Sequence, residues 1–274
     1  MATIAVERSS KETQIISEKA RKPELPVVRR FEAAGFRAWP AASVQYDGTW
    51  AIRLNAGHPV KRLNSVNPLD PGDTGDLDGR VERARRRFEA YGRPLTFRLS
   101  PLSGVVIPGH LDKAGWSFFG DSAVMQMPLG GHGVEDAIHQ IPLRDVGRFI
   151  HAAMRIKALD PTLRPGLSEI IGAIAPDTGL FVLEQKGEPV ATTICVHDGD
   201  LAGLFEVATA ETERGKGYGR RIVLSALKWA LSRGARRAWL QVEADNGAAL
   251  GLYSSLGFSE AYRYHYARPS TAAG

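Results

Sequence analysis

A glycine-rich turn, Arg214-Gly215-Lys216-Gly217-Tyr218-Gly219, stands between an apolar run, Leu201 to Thr209, and a helical pattern, Tyr218 to Ser232. That order commits this part of the chain to strand, tight turn and helix. The apolar residues Ile222, Val223, Ala226, Leu227, Ala230 and Leu231 recur at the three-four spacing of one buried helix face, and Gly234 ends the helix. Gly217 and Gly219 let backbone amides approach a ligand with no side chain in the way. A helix starting there directs its free N–H groups and the positive end of its dipole at an anion. Arg214, Lys216 and Arg220 add positive charge at the same place. Glycines at 215, 217 and 219 do not have the G-x-G-x-x-G spacing of a dinucleotide fold. The Gly-Lys-Ser/Thr ending of a nucleotide P-loop is also missing. Taken alone, the segment is either a generic anion site or merely a turn.

A second motif narrows the choice. Asn246-Gly247-Ala248-Ala249-Leu250-Gly251-Leu252-Tyr253-Ser254-Ser255-Leu256-Gly257-Phe258 follows the turn by about thirty residues. The turn resembles the R-x-x-G-x-G acetyl-CoA signature of the GNAT N-acetyltransferase superfamily. The later segment resembles that family's N-x-x-A-x-x-L-Y-x-x-x-G-F stretch. The resemblance covers residues 140 to 267, and Glu211 departs from it where relatives often have proline.

The resemblance implies acetyl-CoA as co-substrate, with roles assigned by position. Backbone groups of Val207, Ala208 and Thr209 would pair with the pantetheine arm like an added strand. Amides of Arg214, Gly215, Lys216, Gly217, Tyr218, Gly219 and Arg220 would hold the pyrophosphate. Asn246 would bond the cofactor or its arm, and Tyr253 would stand near the thioester sulfur. A phenol with an ordinary pKa of about 10 is protonated at pH 7 and can donate to a leaving thiolate. Tyr253 is otherwise a core tyrosine. Glu206 interrupts the apolar run Leu204, Phe205, Val207, so it is the candidate base for the amine, or a carboxylate that strand alternation points at solvent. His197, Asp198 and Asp200 are weaker candidates in the preceding turn.

Composition bounds the remaining classes. The chain has 274 residues, room for two ordinary domains. No run of eighteen apolar residues occurs and the first residues lack a secretory pattern, so a cytoplasmic protein without a membrane span is expected. The single cysteine, Cys195, excludes an internal disulfide and a cysteine-built metal site; it reads as a core residue, and no metal is expected. The net charge of +5 suits an anionic cofactor. The basic runs Arg83 to Arg87 and Arg233 to Arg237 lie at helical or helix-end positions and read as solvated faces, so no nucleic-acid partner is expected. The expected partner is a small-molecule amine acceptor, with a protein amine, another acyl group or a CoA-binding sensor as alternatives. Monomer and homodimer both remain open.

Leu111 to Ser117 echoes Tyr253 to Ser259: short helix, glycine, aromatic residue, serine. The order of elements is similar too, which suggests a duplicated unit. The expected fold class is therefore α/β (mixed α+β), with two GNAT-like domains, each a mostly antiparallel mixed sheet flanked by helices. The expected boundaries are a flexible lead-in at 1–22, a degenerate domain at 23–130, a linker at 131–136, a catalytic domain at 137–267 and a flexible tail at 268–274. Where a working copy has its basic glycine turn, the first half has Asp70, Asp73, Asp76 and Asp78, which would repel a pyrophosphate. Trp39, Trp50 and Asn64 are candidates for one wall of the acceptor site; the tryptophans otherwise read as core. Arg62 to Pro68 also looks like a stretch near the start of some two-part GNAT proteins.

Overall fold

The computed structural model describes residues 23–130 and 133–270. The expected lead-in at 1–22, linker residues 131–132 and tail residues 271–274 lie outside the described residues. The first half runs α1 (Leu25–Ala38), β1 (Ser43–Asp47), β2 (Trp50–Leu54), β3 (Ser65–Pro68), α2 (Leu77–Ala90), β4 (Phe97–Leu99), α3 (Val106–Lys113) and β5 (Trp116–Pro128). The second half runs α4 (Val146–Lys157), α5 (Arg164–Gly172), β6 (Asp177–Gln185), β7 (Glu188–Asp198), β8 (Leu201–Thr209), α6 (Tyr218–Leu231), β9 (Arg237–Glu243), α7 (Gly247–Ser255) and β10 (Ser259–Pro269).

All ten strands form one sheet in the order β1-β2-β3-β4-β10-β5-β9-β8-β7-β6. This order shows the duplication. In each half the first three strands are antiparallel neighbours and the third pairs in parallel with the fourth. The last strand of each half then crosses over. β10 pairs with β4, β5 pairs with β9, and the two exchanged strands pair antiparallel at the centre of the sheet. The helices repeat as well, α2 and α3 in the first half answering α6 and α7 in the second.

Alternating strand residues feed opposite faces. Ile194 and Val196 of β7 join a core with α1, α4 and α5, while Cys195 between them joins a core with α6 and α7. The same α6 face holds Ile222, Val223, Ala226 and Leu227, as the helical spacing predicts. A third core lies under α2 and α3, around Trp50, Phe88 and Phe97. The α1 face mixes both halves. Phe31 and Trp39 pack there with Phe205 and Trp239, and Arg37 of α1 reaches Asp198 of the second half at 2.7 Å.

Gly35 lies inside α1, where a Cβ would approach the Trp239 ring at 3.3 Å. β3 carries no apolar alternation, and its buried polar residues are satisfied locally. Asn67 Nδ2 donates to Ser65 O at 2.8 Å. Two local expectations are corrected. Arg268 and Pro269, expected in the tail, continue β10 opposite Ser117 and Trp116. Of the linker, Val134 is buried in a core, and Lys228 donates to Glu135 O and Ala137 O at 3.0 and 2.6 Å.

Candidate functional site

The parallel pairing of β8 with β9 runs from Leu201–Arg237 to Leu204–Leu240 and stops there. Beyond it β9 continues beside β5, while β8 stays with β7. The two strands splay, and the inner backbone edge of Val207, Ala208 and Thr209 has no ladder partner on the β9 side. These three residues are half-buried although they lie deep in the sheet. The splay is sharpened by an irregularity in register between Thr192 and Ile194, opposite Phe205 and Ala208. Glu206 sits in it with φ of 51°. A bulge re-aims a side chain, and here it separates Phe205, in the α1–α4 core, from Val207, which packs on the α6–α7 core.

A cavity of ≈200 Å³ fills the notch, walled by Glu206, Val207, Leu240, Asn246 and Tyr253 together with Lys157 and Arg62. Residues of β8 and of the Asn246–Phe258 segment thus meet at one cavity, which no residue of the glycine turn lines. Glu206 is not pointed at open solvent: its side chain is 21% exposed, and Oε2 accepts from Lys157 Nζ of α4 at 2.6 Å. Tyr253 enters from the α7 side. It is 6% exposed, packs edge-on against Phe258 at 5.7 Å, and burial pushes its phenol up to about 12. Asn246 does a job its position announces. It caps α7, its Oδ1 accepting from Ala249 N at 3.1 Å, which leaves its NH₂ for other partners.

The glycine turn follows the open edge. Gly215 and Gly217 have φ of 75° and 81°, and a Cβ built on either meets nothing within 4 Å. Gly217 is the N-cap of α6, and the first bond of that helix runs from Arg221 N to Gly217 O. The N–H groups of Tyr218, Gly219 and Arg220 therefore precede any intrahelical acceptor. Gly219 matters for packing: a Cβ there would meet Thr209 Oγ1 at 3.2 Å. Arg214 is exposed, Lys216 pairs with Glu213 at 3.0 Å, and Arg220 reaches Ser255 O at 3.3 Å. A diphosphate fits this donor set: free amides, glycines at positive φ, and cations on both sides. A larger cavity of ≈610 Å³ lies along the outer flank of the turn, between Lys216, Tyr218 and Arg155, and contains neither Glu206 nor Tyr253.

Other candidates fall elsewhere. Asp198 ends β7 and Asp200 immediately precedes β8, at the end of the β7–β8 pair away from the notch, where they hold Arg37 and Arg30 of α1. His197 stands 3.8 Å from Asp177 at the same end. Trp50 is core, beneath Arg80. Trp39 is core too, stacked on Phe205 at 5.5 Å. Asn64 shapes the loop before it, accepting from Asn55 N and donating to His58 O at 2.9 and 2.8 Å. Burial raises the Cys195 thiol well above its ordinary range, so it is a core residue without thiolate chemistry. Sequence reading missed two cations of the cavity wall, Lys157 and Arg62. Arg62 opens the stretch noted above, but nothing local to it points to a site in the other half.

The first half closes its own turn. Asp73 accepts from Arg80 and from Thr49 N, both at 2.8 Å, which holds its carboxyl well below the usual range. The Asp76 carboxylate lies 2.5 Å from the Cβ position of Gly79, over the first turn of α2. Asp70 is taken up by Gly72 N at 2.8 Å, and Asp78 faces His110 at 3.2 Å.

Among the described residues no helix is long and apolar enough to cross a membrane, and no group of three or more His, Cys, Asp or Glu is placed to hold a metal. The family model for the acetyltransferase (GNAT) family matches residues 149–258. An uncharacterized N-acetyltransferase of Bacillus subtilis strain 168, YobR, is 28% identical over 260 residues, covering 87% of this chain and 97% of its own. A GCN5-related N-acetyltransferase from Kribbella flavida superposes with a TM-score of 0.66 at 18% identity, over 92% of this chain and 98% of that one. A tandem GNAT protein from the clavulanic acid biosynthesis pathway superposes with a TM-score of 0.58 at 14% identity, over 88% of each chain. The two structural likenesses show a shared fold. The family match spans the notch, the glycine turn and α7, which gives this chain a GNAT-family domain at residues 149–258.

Proposed function

We propose that the protein is an acetyl-CoA-dependent N-acetyltransferase acting on the primary amine of a small molecule, by direct attack within a ternary complex. The observation that carries this reading is the notch. Val207 on the unpaired edge of β8, Tyr253 and Glu206 wall one cavity, and the chain runs on from that edge into the glycine turn. The free edge Val207–Thr209 would take the pantetheine arm, and the turn from Arg214 to Arg220 would take the pyrophosphate. Asn246 has an NH₂ to offer the arm. The bound thioester supplies the acetyl group. Tyr253, kept protonated by burial, donates a proton to the departing sulfur. Glu206 receives the proton of the amine, and Lys157 fixes its Oε2 while Oε1 has no donor among the described residues. The first half would not bind CoA, because Asp73 and Asp76 occupy the corresponding turn.

Thiol release from acetyl-CoA across a panel of amines tests the reading. Turnover on small amines, falling about 100-fold or more in Tyr253→Phe, is expected. Tight CoA binding with no turnover on any amine would instead identify a sensor. Turnover confined to peptides would move the acceptor class to proteins.

A further inference from the structure

The geometry points to an acceptor that carries a carboxylate as well as its amine, bound by Arg62 of the first half. This inference deepens the N-acetyltransferase reading and rests on it. Arg62 lines three adjoining cavities: the ≈200 Å³ notch, a ≈110 Å³ space beyond it, and a small recess between Arg53 and Arg98. Its guanidinium stands 5.7 Å from the ring of Phe205, the residue before Glu206. Its Nε is buried with no hydrogen-bond partner, and no described carboxylate pairs with it. A buried guanidinium N–H without a partner is unfavourable, and the planar fork of the half-buried Arg62 matches a carboxylate.

The neighbours sort into two ends. Glu206, tied to Lys157, lines the Tyr253 side alone and would draw an ammonium there, whereas Glu243 lines both spaces. Arg62 and Lys61 line the space beyond, together with Ser122, Gln241, Tyr264 and Tyr266. Gln241 Oε1 is taken by the Tyr264 hydroxyl at 3.0 Å, so its NH₂ is the part left to donate. Two of the remaining cations do not compete for the carboxylate. Arg98 is paired with Glu32 and Arg53 gives both terminal nitrogens to the carbonyls of Arg62 and Trp39, while Lys61, over the Phe119 and Tyr266 rings, lines the same space and would add to its positive charge. The notch is smaller than the roughly 300–1,000 Å³ of drug-sized ligand sites, which fits an acceptor of amino-acid size.

The test uses the full chain and matched pairs of probes: amino acids against their C-terminal amides as acceptors, and N-acetyl amino acids against their amides as product-like ligands, titrated calorimetrically with CoA present. The wild type should favour the acid of at least one pair by about tenfold or more. Arg62→Gln should collapse that ratio toward one, and Arg62→Lys should keep part of it. The ratio carries the result, and acetyl-CoA titration of each variant reports whether it is folded. Equal binding of acids and amides by the wild type, no binding of either, or a ratio that survives in Arg62→Gln overturns the assignment. An acid-over-amide ratio in binding without any turnover would leave the carboxylate subsite standing and refute the acetyltransferase reading instead.

Discussion

Tyr253 illustrates how one residue links stability to chemistry. Its phenol is 6% exposed, and burial pushes it up to about 12, so the proton that the proposed donation needs is retained across the whole physiological range. Tyr253→Phe removes that proton while keeping the ring against Phe258, and kcat should fall about 100-fold or more, by more than any change in the KM for acetyl-CoA. Equal kcat in the two proteins would leave Tyr253 as packing. The same burial makes folding pH-dependent. An unfolded tyrosine ionises near pH 10, whereas the folded Tyr253 holds its proton to about 12. Its contribution is therefore complete below pH 10 and is lost as pH rises through about 12, for a total of about 2 to 3 kcal/mol. Tyr262 and Tyr266 are raised in the same direction by burial and add to the effect. The urea midpoint should drop between pH 10 and 12, less steeply in Tyr253→Phe; a flat midpoint over that window would count against burial of these phenols. The sequence marked Tyr253 through the later motif and Glu206 through the apolar run it interrupts, but the positive φ at Glu206 has no local signature. Such a position favours glycine or asparagine, and only the surrounding sheet holds a glutamate there.

At the scale of elements, the turn and α6 form a single device. Gly217 holds a φ of 81°, which an L side chain adopts at a penalty of roughly 1–2 kcal/mol, and the space over it is open. Gly217→Asp therefore does two things: it strains the N-cap and places a carboxylate where the free amides of α6 would meet phosphate. Acetyl-CoA binding measured by calorimetry should fall below detection, while the thermal midpoint drops by only a few degrees. Retained affinity would move the cofactor away from this turn. β8, the turn and α6 were legible because each carries its own signal: an apolar run, glycines, then three-four spacing. β3 was not. Four residues with Asn67 and Pro68 among them show no period, and the strand exists because β2 and β4 flank it. The Asp-rich loop was legible as carboxylates standing where a working copy has its basic glycine turn, an arrangement expected to repel phosphate. Its actual occupant, the Asp76 carboxylate over Gly79, required coordinates.

For the whole molecule, the exchange of β5 and β10 decides what counts as a unit. The sequence shows two copies and a glycine-rich joint, and those signals are local. Pairing between β5 and β9, or between β10 and β4, leaves no mark in either strand, so the crossing was invisible before the sheet was seen. Its consequence is that residues 137–267, expected to be the catalytic domain, lack a central strand of their own sheet. Without β5, neither β9 nor β10 has the neighbour it uses there, and backbone groups along seven registered pairs from Ser122–Glu243 to Pro128–Arg237 lose their ladder. The α1 face is shared as well: Glu32 of α1 pairs with Arg98 of β4 and accepts from Tyr262 of β10 at 2.7 Å, all buried. Removing one partner of such a pair typically destabilises by about 3–5 kcal/mol. Glu32→Ala should therefore lower a single unfolding transition, seen equally by probes in either half. The stronger test is to separate the halves. A fragment of residues 133–270 made alone should be unfolded or insoluble, and co-expression with residues 1–130 should restore a soluble, acetyl-CoA-binding complex. A soluble 133–270 fragment with a sharp thermal transition and undiminished acetyl-CoA affinity would show that the second half completes its sheet without the exchanged strand.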